Sequence, residues 1–84
     1  MKKIFKYELK DGSNYIPVGA KVIHVNVSEE GAIAWVEFDS KFENELVQRN
    51  FKVFGTGWEI PDDAIYIKTW FQGPFVWHLY EVMR

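Results

Sequence analysis

Cysteine is absent from these 84 residues, which excludes disulfides, zinc–thiolate centres and thiol nucleophiles outright. A reducing compartment suits such a chain. No apolar run approaches the ~20 residues that a membrane-spanning helix needs, and no basic amphipathic helix offers itself to a membrane surface. Neither sign of charge prevails: ten Lys and Arg stand against twelve Asp and Glu, a net charge of −2. Binding to duplex nucleic acid ordinarily rests on a basic face, and the sequence carries none. The charges of Lys6 and Glu8 interrupt the start Met1-Lys2-Lys3-Ile4-Phe5 as a signal-peptide hydrophobic region. The expected setting is the cytoplasm.

Large rings are plentiful instead. Seven Phe, four Tyr and four Trp occupy a chain with room for one domain, residues 1–84. A domain of this size buries only roughly 60% of the surface its unfolded chain exposes. Some rings should therefore face outwards, and a cluster of them would mark an interaction surface.

Period-two alternation dominates the chain. In Ile4–Leu9, Phe5, Tyr7 and Leu9 fall on one face, with Lys6 and Glu8 on the other. Asp11-Gly12-Ser13-Asn14 reads as a turn cluster, and Pro17-Val18-Gly19 as a second punctuation. Lys21–Ser28 and Ala32–Phe38 form a hairpin around Glu29-Glu30-Gly31, a three-residue loop with glycine last. That loop would pair Ser28 with Ala32, Val25 with Trp35 and His24 with Val36, placing Ile23, Val25, Val27, Ile33 and Trp35 on one face.

Asp39–Gln48 departs from the pattern. Ser40 and Glu43 resemble a capping box for one helical turn, and an acidic loop fits equally well. Arg49–Phe54 returns to strand, ending at Gly55-Thr56-Gly57, and Ile60-Pro61-Asp62-Asp63 reads as a turn. Ile65–Gln72 and Phe75–Val82 flank Gly73-Pro74. A two-residue turn there sets Gln72 against Phe75, Trp70 against Trp77 and Lys68 against Leu79. One face of this last hairpin would carry Tyr66, Trp70, Phe75, Trp77 and Leu79. The other would carry Ile65, Ile67, Phe71, Val76, Tyr80 and Val82, with Thr69 opposite His78. Six strands with short connections imply an all-β domain, a small antiparallel sandwich or barrel with at most one helical turn. Both faces of the last hairpin are apolar, and so short a chain has few elements to cover them. The face with Tyr66, Trp70, Phe75, Trp77 and Leu79 is the expected interface, with a partner or with further copies in a homo-oligomer.

Catalytic and cofactor motifs are missing: there is no phosphate-binding G-x-x-x-x-G-K-[ST] loop, no H-E-x-x-H and no G-x-S-x-G elbow. His24, His78, Asp62 and Asp63 lie at spacings that demand no metal. Gly55-Thr56-Gly57 is the more suggestive element. Two glycines around a hydroxyl residue can turn backbone N–H groups inwards as an anion nest, assisted by Lys52 or Arg49. Trp58 directly after it would stack on a base. These six residues are the expected ligand site.

Several segments stand in a recognisable order: Ile4-Phe5-Lys6-Tyr7, Pro17-Val18-Gly19-Ala20-Lys21-Val22-Ile23, Trp35, Phe54-Gly55-Thr56-Gly57, Ile60-Pro61-Asp62-Asp63, Tyr66-Ile67-Lys68-Thr69 and Phe75-Val76-Trp77-His78-Leu79-Tyr80-Glu81. With them the chain resembles, over nearly its whole length, a family of short proteins encoded by tailed bacteriophages and prophages. Gly-Thr-Gly, Pro-Asp-Asp and Val-Trp-His are the most specific parts. The family pattern often has His at the position of Trp58 and Gly at that of Lys68. The resemblance implies a phage protein made inside a bacterial cell. A non-enzymatic anti-defence role follows as an expectation: an oligomer that sequesters a phosphorylated nucleotide signal. The alternatives are a protein-directed inhibitor of a host defence enzyme, of anti-CRISPR type, whose acidic stretch Glu29–Glu45 imitates nucleic-acid phosphates, and a passive virion accessory protein.

Overall fold

The computed structural model describes residues 1–83. Its strands are β1 (Lys2–Leu9), β2 (Gly12–Pro17), β3 (Lys21–Ser28), β4 (Gly31–Asp39), β5 (Leu46–Gly55), β6 (Ile65–Gln72) and β7 (Phe75–Val82), with a single 3-10 turn at Ser40–Phe42. They make two antiparallel sheets, one of order β1-β4-β3 and one of order β2-β5-β7-β6. The class is all-β, as expected, but with seven strands rather than six.

The additional strand, β2, runs through residues that read as turn chemistry. Gly12 adopts φ +95° and opens the turn from β1. The Asn14 side chain accepts from the Lys10 N–H and donates to the Lys10 carbonyl, each at 2.8 Å. Those bonds tie the turn shut and leave the backbone free to pair with β5 from Gly12↔Phe51 to Pro17↔Leu46. At Asp39–Gln48 the helical turn exists but its cap differs. Asp39, not Ser40, caps it by accepting from the Lys41 N–H, while Glu43 bonds to Lys3 on β1.

The β3–β4 hairpin is one residue off the expected register. Ser28 pairs with Gly31, Val25 with Ala34 and His24 with Trp35, and a bulge between Val22 and His24 shifts the pairing by one more residue, to Val22 with Val36. A slip of one residue exchanges the faces. Ala32, Ala34 and Val36 therefore turn inwards with Val25 and Val27. Ile33 and Trp35 lie on the outer face, where Trp35 meets His24 at 5.4 Å between ring centroids. Both alternating sets on β4 are apolar, so alternation alone does not choose between them. Ala34 is fully buried, a position with no room for an indole.

The core joins both sheets. Ile16, Val25, Ala34, Val36, Phe38, Phe51 and Leu79 form one buried cluster, with Phe5, Tyr7 and Leu9 of β1 packed against it. Arg49 buckles the structure beside that cluster. Its Nε and Nη2 donate to the two Glu81 oxygens at 2.6 and 2.7 Å, and its Nη1 donates to the Ala20 carbonyl in the β2–β3 connection.

The molecule is long, 43 × 25 × 17 Å. The β6–β7 hairpin keeps the expected register, with Trp70↔Trp77, Gln72↔Phe75 and Thr69↔His78. A bulge between Tyr66 and Lys68 then reverses the faces at its far end. Tyr66 consequently sits opposite Tyr80 rather than beside Trp70, and Ile67 packs on the core.

Candidate functional site

Towards the tip of the β6–β7 hairpin the two sheets part. β2 pairs with β5 only as far as Phe51, and the three-stranded sheet ends at the Glu29-Glu30 turn. Beyond those points the inner face of the four-stranded sheet has lost its cover. An open cleft of 580 Å³ results, lined by Val27, Ser28, Glu29, Val53, Trp70, Phe71, Gln72, Gly73 and Trp77. Trp70 also packs against the core, whereas Phe71 and Phe75 at the tip are 79% and 59% exposed.

Trp77 is held in place by its neighbours. Its Nε1–H donates to Gln72 Oε1 at 2.9 Å, Phe75 stacks on it at 5.9 Å and 26°, and Trp58 meets it edge-on at 6.0 Å and 82°. Gly55 makes the Trp58 position possible, because a Cβ there would lie 2.8 Å from the indole. Among the described residues lining the cleft, Glu29 alone carries a charge. A smaller adjoining cavity of 190 Å³ shares Val27, Val53 and Trp70 with the cleft and is lined also by Lys10, Asp11 and Lys52.

The expected interface is thus only partly assembled. Trp70, Phe75 and Trp77 share one region. Leu79 is sealed in the core, and Tyr66 lies on the opposite face, its ring 5.5 Å from Tyr80.

The expected ligand site does not converge. The Thr56 N–H donates to the Val76 carbonyl at 3.3 Å and the Trp58 N–H donates to the Gly55 carbonyl at 3.1 Å. A nest needs its amides free, and here the Thr56 amide bonds across to β7 while the Trp58 amide closes a turn. Arg49 is committed to Glu81 and lies six residues along β5 from Gly55, ~20 Å at strand spacing. Lys52 holds its ammonium 5.3 Å from the Phe54 ring centroid. Only Trp58 of the six reaches the aromatic region.

Thr56 belongs to another network. Its Oγ1 lies 2.9 Å from His78 Nε2 and 3.2 Å from the Val76 carbonyl; His78 Nδ1 lies 2.9 Å from Thr69 Oγ1, which is 2.8 Å from the Tyr66 hydroxyl. The donor and acceptor roles follow the His78 tautomer, and with Nε2 protonated every group is satisfied. Tyr66 donates to Thr69, Thr69 to Nδ1, Nε2–H to Thr56, and Thr56 to the Val76 carbonyl.

His24 and His78 stand on different sheets, and among the described residues no group of three or more His, Asp or Glu side chains comes together. The acidic stretch is not a bare anionic strip either. Asp39 faces the N-terminal ammonium and Lys41, Glu37 faces Lys2, and Glu43 faces Lys3.

Sequence reasoning missed the contribution of Val27, Glu29 and Val53 to the cleft. The register of Trp70 and Trp77 was readable from Gly73-Pro74, but nothing local announces that the β3–β4 turn comes to rest beside them.

The fold and the cleft together define a small two-sheet β domain with an aromatic end left open. The chain belongs to the family described as Domain of unknown function (DUF7352), whose model matches residues 1–84. No curated protein and no solved structure matches it.

Proposed function

We propose that this domain is a non-enzymatic binding protein that holds a partner protein at the open aromatic end of its sandwich. One observation carries the reading: Trp70 faces Trp77 in register at a cleft of 580 Å³ that the single chain leaves open. Buried Trp side chains are the commonest energetic anchors of protein interfaces. Phe71 and Phe75 extend the apolar patch, and Ser28, Glu29 and Gln72 supply the polar rim that such interfaces carry. In the bacteriophage setting that the sequence resemblance implies, the partner is a host protein, and blocking a defence enzyme suits a module of this size. The test is capture of the partner by the tagged chain from host lysate, compared with Trp70→Ala, Trp77→Ala and the distant surface variant Lys6→Ser. A stoichiometric complex lost in the two Trp variants and kept in Lys6→Ser is the expected result. A complex indifferent to both Trp changes removes the reading.

Sequestration of a phosphorylated nucleotide by an oligomer is the second reading, and one observation favours it. Lys10 lines the cavity that adjoins the cleft, beside Asp11, so a base lying against the indoles would direct its phosphate towards the Lys10 ammonium rather than towards Gly55–Gly57. Thermal-shift and calorimetric measurements with cyclic dinucleotides and ADP-ribose derivatives decide it. Absence of stabilisation by all of them removes it.

A further inference from the structure

We propose that the group entering the cleft is a basic side chain of the partner, an arginine before a lysine. The inference rests on the protein-binding reading above and adds the chemistry of what is recognised. Two of the lining side chains are indoles on neighbouring strands, Trp70 and Trp77, and the face of an indole attracts cations more strongly than any other side-chain ring. Glu29, on the turn of the β3–β4 hairpin, supplies the opposite charge, and among the described lining residues no cation competes with it. Val27 and Val53 give the cleft apolar lining that displaces water from an aliphatic stem and leaves the attraction less screened. Trp77 is already fixed by Gln72, Phe75 and Trp58, so little freedom remains to be lost when a partner docks.

Other occupants fit less well. A carboxylate or phosphate would meet Glu29 with like charge. A neutral apolar side chain would cover the indoles while taking water from Glu29 and returning no hydrogen bond. A guanidinium plane lies flat on a ring and still offers its N–H fork to a carboxylate, which the compact lysine ammonium does not do at once.

The experiment is a ¹H–¹⁵N titration of the whole chain with Nα-acetyl-arginine amide and, separately, with its neutral isostere Nα-acetyl-citrulline amide. The Trp70 and Trp77 indole N–H signals should move saturably with the arginine probe and bind citrulline about five-fold more weakly or worse. Glu29→Gln should weaken the arginine probe about five-fold and leave citrulline unchanged. Equal affinity for the two probes, no effect of Glu29→Gln, or no saturable shift below about 50 mM arginine probe overturns the inference. Trp77→Leu, which keeps an apolar body and removes the π face, should abolish the charge preference while preserving the dispersed spectrum of a folded chain. The partner-capture assay separates the two levels. A complex that survives Glu29→Gln but not Trp77→Leu overturns the basic-side-chain inference and leaves the binding reading standing. A complex indifferent to both overturns the binding reading as well.

Discussion

Phe51 and Val53 point the same way from one strand, two residues apart, and they live in different environments. Phe51 is 2% exposed and Val53 is 37% exposed. On the Phe51 side, β2 extends the sheet, the three-stranded sheet lies over it, and Arg49 grips Glu81 and the Ala20 carbonyl. On the Val53 side β2 has ended, the β3–β4 hairpin has turned back, and the strand continues into Gly55 and the Trp77 ring. The chain makes one end of its sandwich closed and places three of its four Trp, Trp58, Trp70 and Trp77, at the other. Burial accounts for the first end. The second is left open in the single chain.

The largest effect should fall on the closed end. Phe51→Ala removes a ring from the middle of the core and is expected to cost about 3–5 kcal/mol by chemical denaturation. Val53→Ala, at a position already open to water, should cost under ~1 kcal/mol. Comparable losses at both positions would erase the distinction between the ends.

Next comes the buckle. Arg49 and Glu81 are largely shielded, at 20% and 13% side-chain exposure, and are joined through two parallel bonds. Arg49→Met leaves Glu81 charged and the Ala20 carbonyl without its donor, an expected loss of about 2–3 kcal/mol after allowance for the remaining solvent contact. The double change Arg49→Met with Glu81→Leu should recover much of that, because the orphaned charge goes with its partner. If the double variant is no better than the single one, the bond itself and not the stranded charge is what the closed end depends on.

How far the sequence disclosed this arrangement depends on the range of the interactions. Short-range chemistry was readable. Gly73-Pro74 set Trp70 against Trp77, and the alternation of Phe5, Tyr7 and Leu9 gave the inward face of β1. Bulges were not readable, and each one moved side chains between faces. The bulge at Ile23 set Val22 in its place opposite Val36, and the bulge at Ile67 parted Tyr66 from Trp70, while Trp35 faces outwards because the β3–β4 turn pairs Ser28 with Gly31. β2 was hidden because Gly12 and Asn14 serve a turn and a strand at once. The Gly-Thr-Gly segment misled for a different reason. Its central amide, that of Thr56, is spent on Val76 and the following amide, that of Trp58, on Gly55, a long-range and a local bond that no motif records. The cleft itself is a product of where covering strands stop, which is a property of topology and not of any one segment.

At the open end, Gly55 offers a finer test. A methyl group there would fall 2.8 Å from the Trp58 indole, and Trp58 is 58% exposed, so the ring can swing away. Gly55→Ala is therefore expected to cost only about 1 kcal/mol and to shift Trp fluorescence as the Trp58–Trp77 edge contact breaks. In a Trp58→Ala background the same change should be close to neutral. A thermodynamic cycle over the four proteins measures the coupling, and a coupling near zero would mean that Trp58 does not brace Trp77.

The smallest effect belongs to the surface charges at the end remote from the cleft. Asp39 accepts from the Lys41 N–H, and this bond, with the nearby N-terminal and Lys41 ammonium groups, holds its carboxyl below the ordinary aspartate range despite some desolvation. A carboxyl whose folded-state pKa is depressed contributes stability that is present above its unfolded value and is lost as pH falls through its folded value. The contribution should hence be intact at neutral pH and disappear below about pH 4. Asp39 is open to solvent, where such pairs are worth little. Asp39→Asn should leave the neutral-pH denaturation midpoint almost unmoved and slightly flatten the acid limb of stability against pH. A large loss at neutral pH would show that the closed end is fastened from its surface, and the division between an end secured by its own core and an end left open would have to be redrawn.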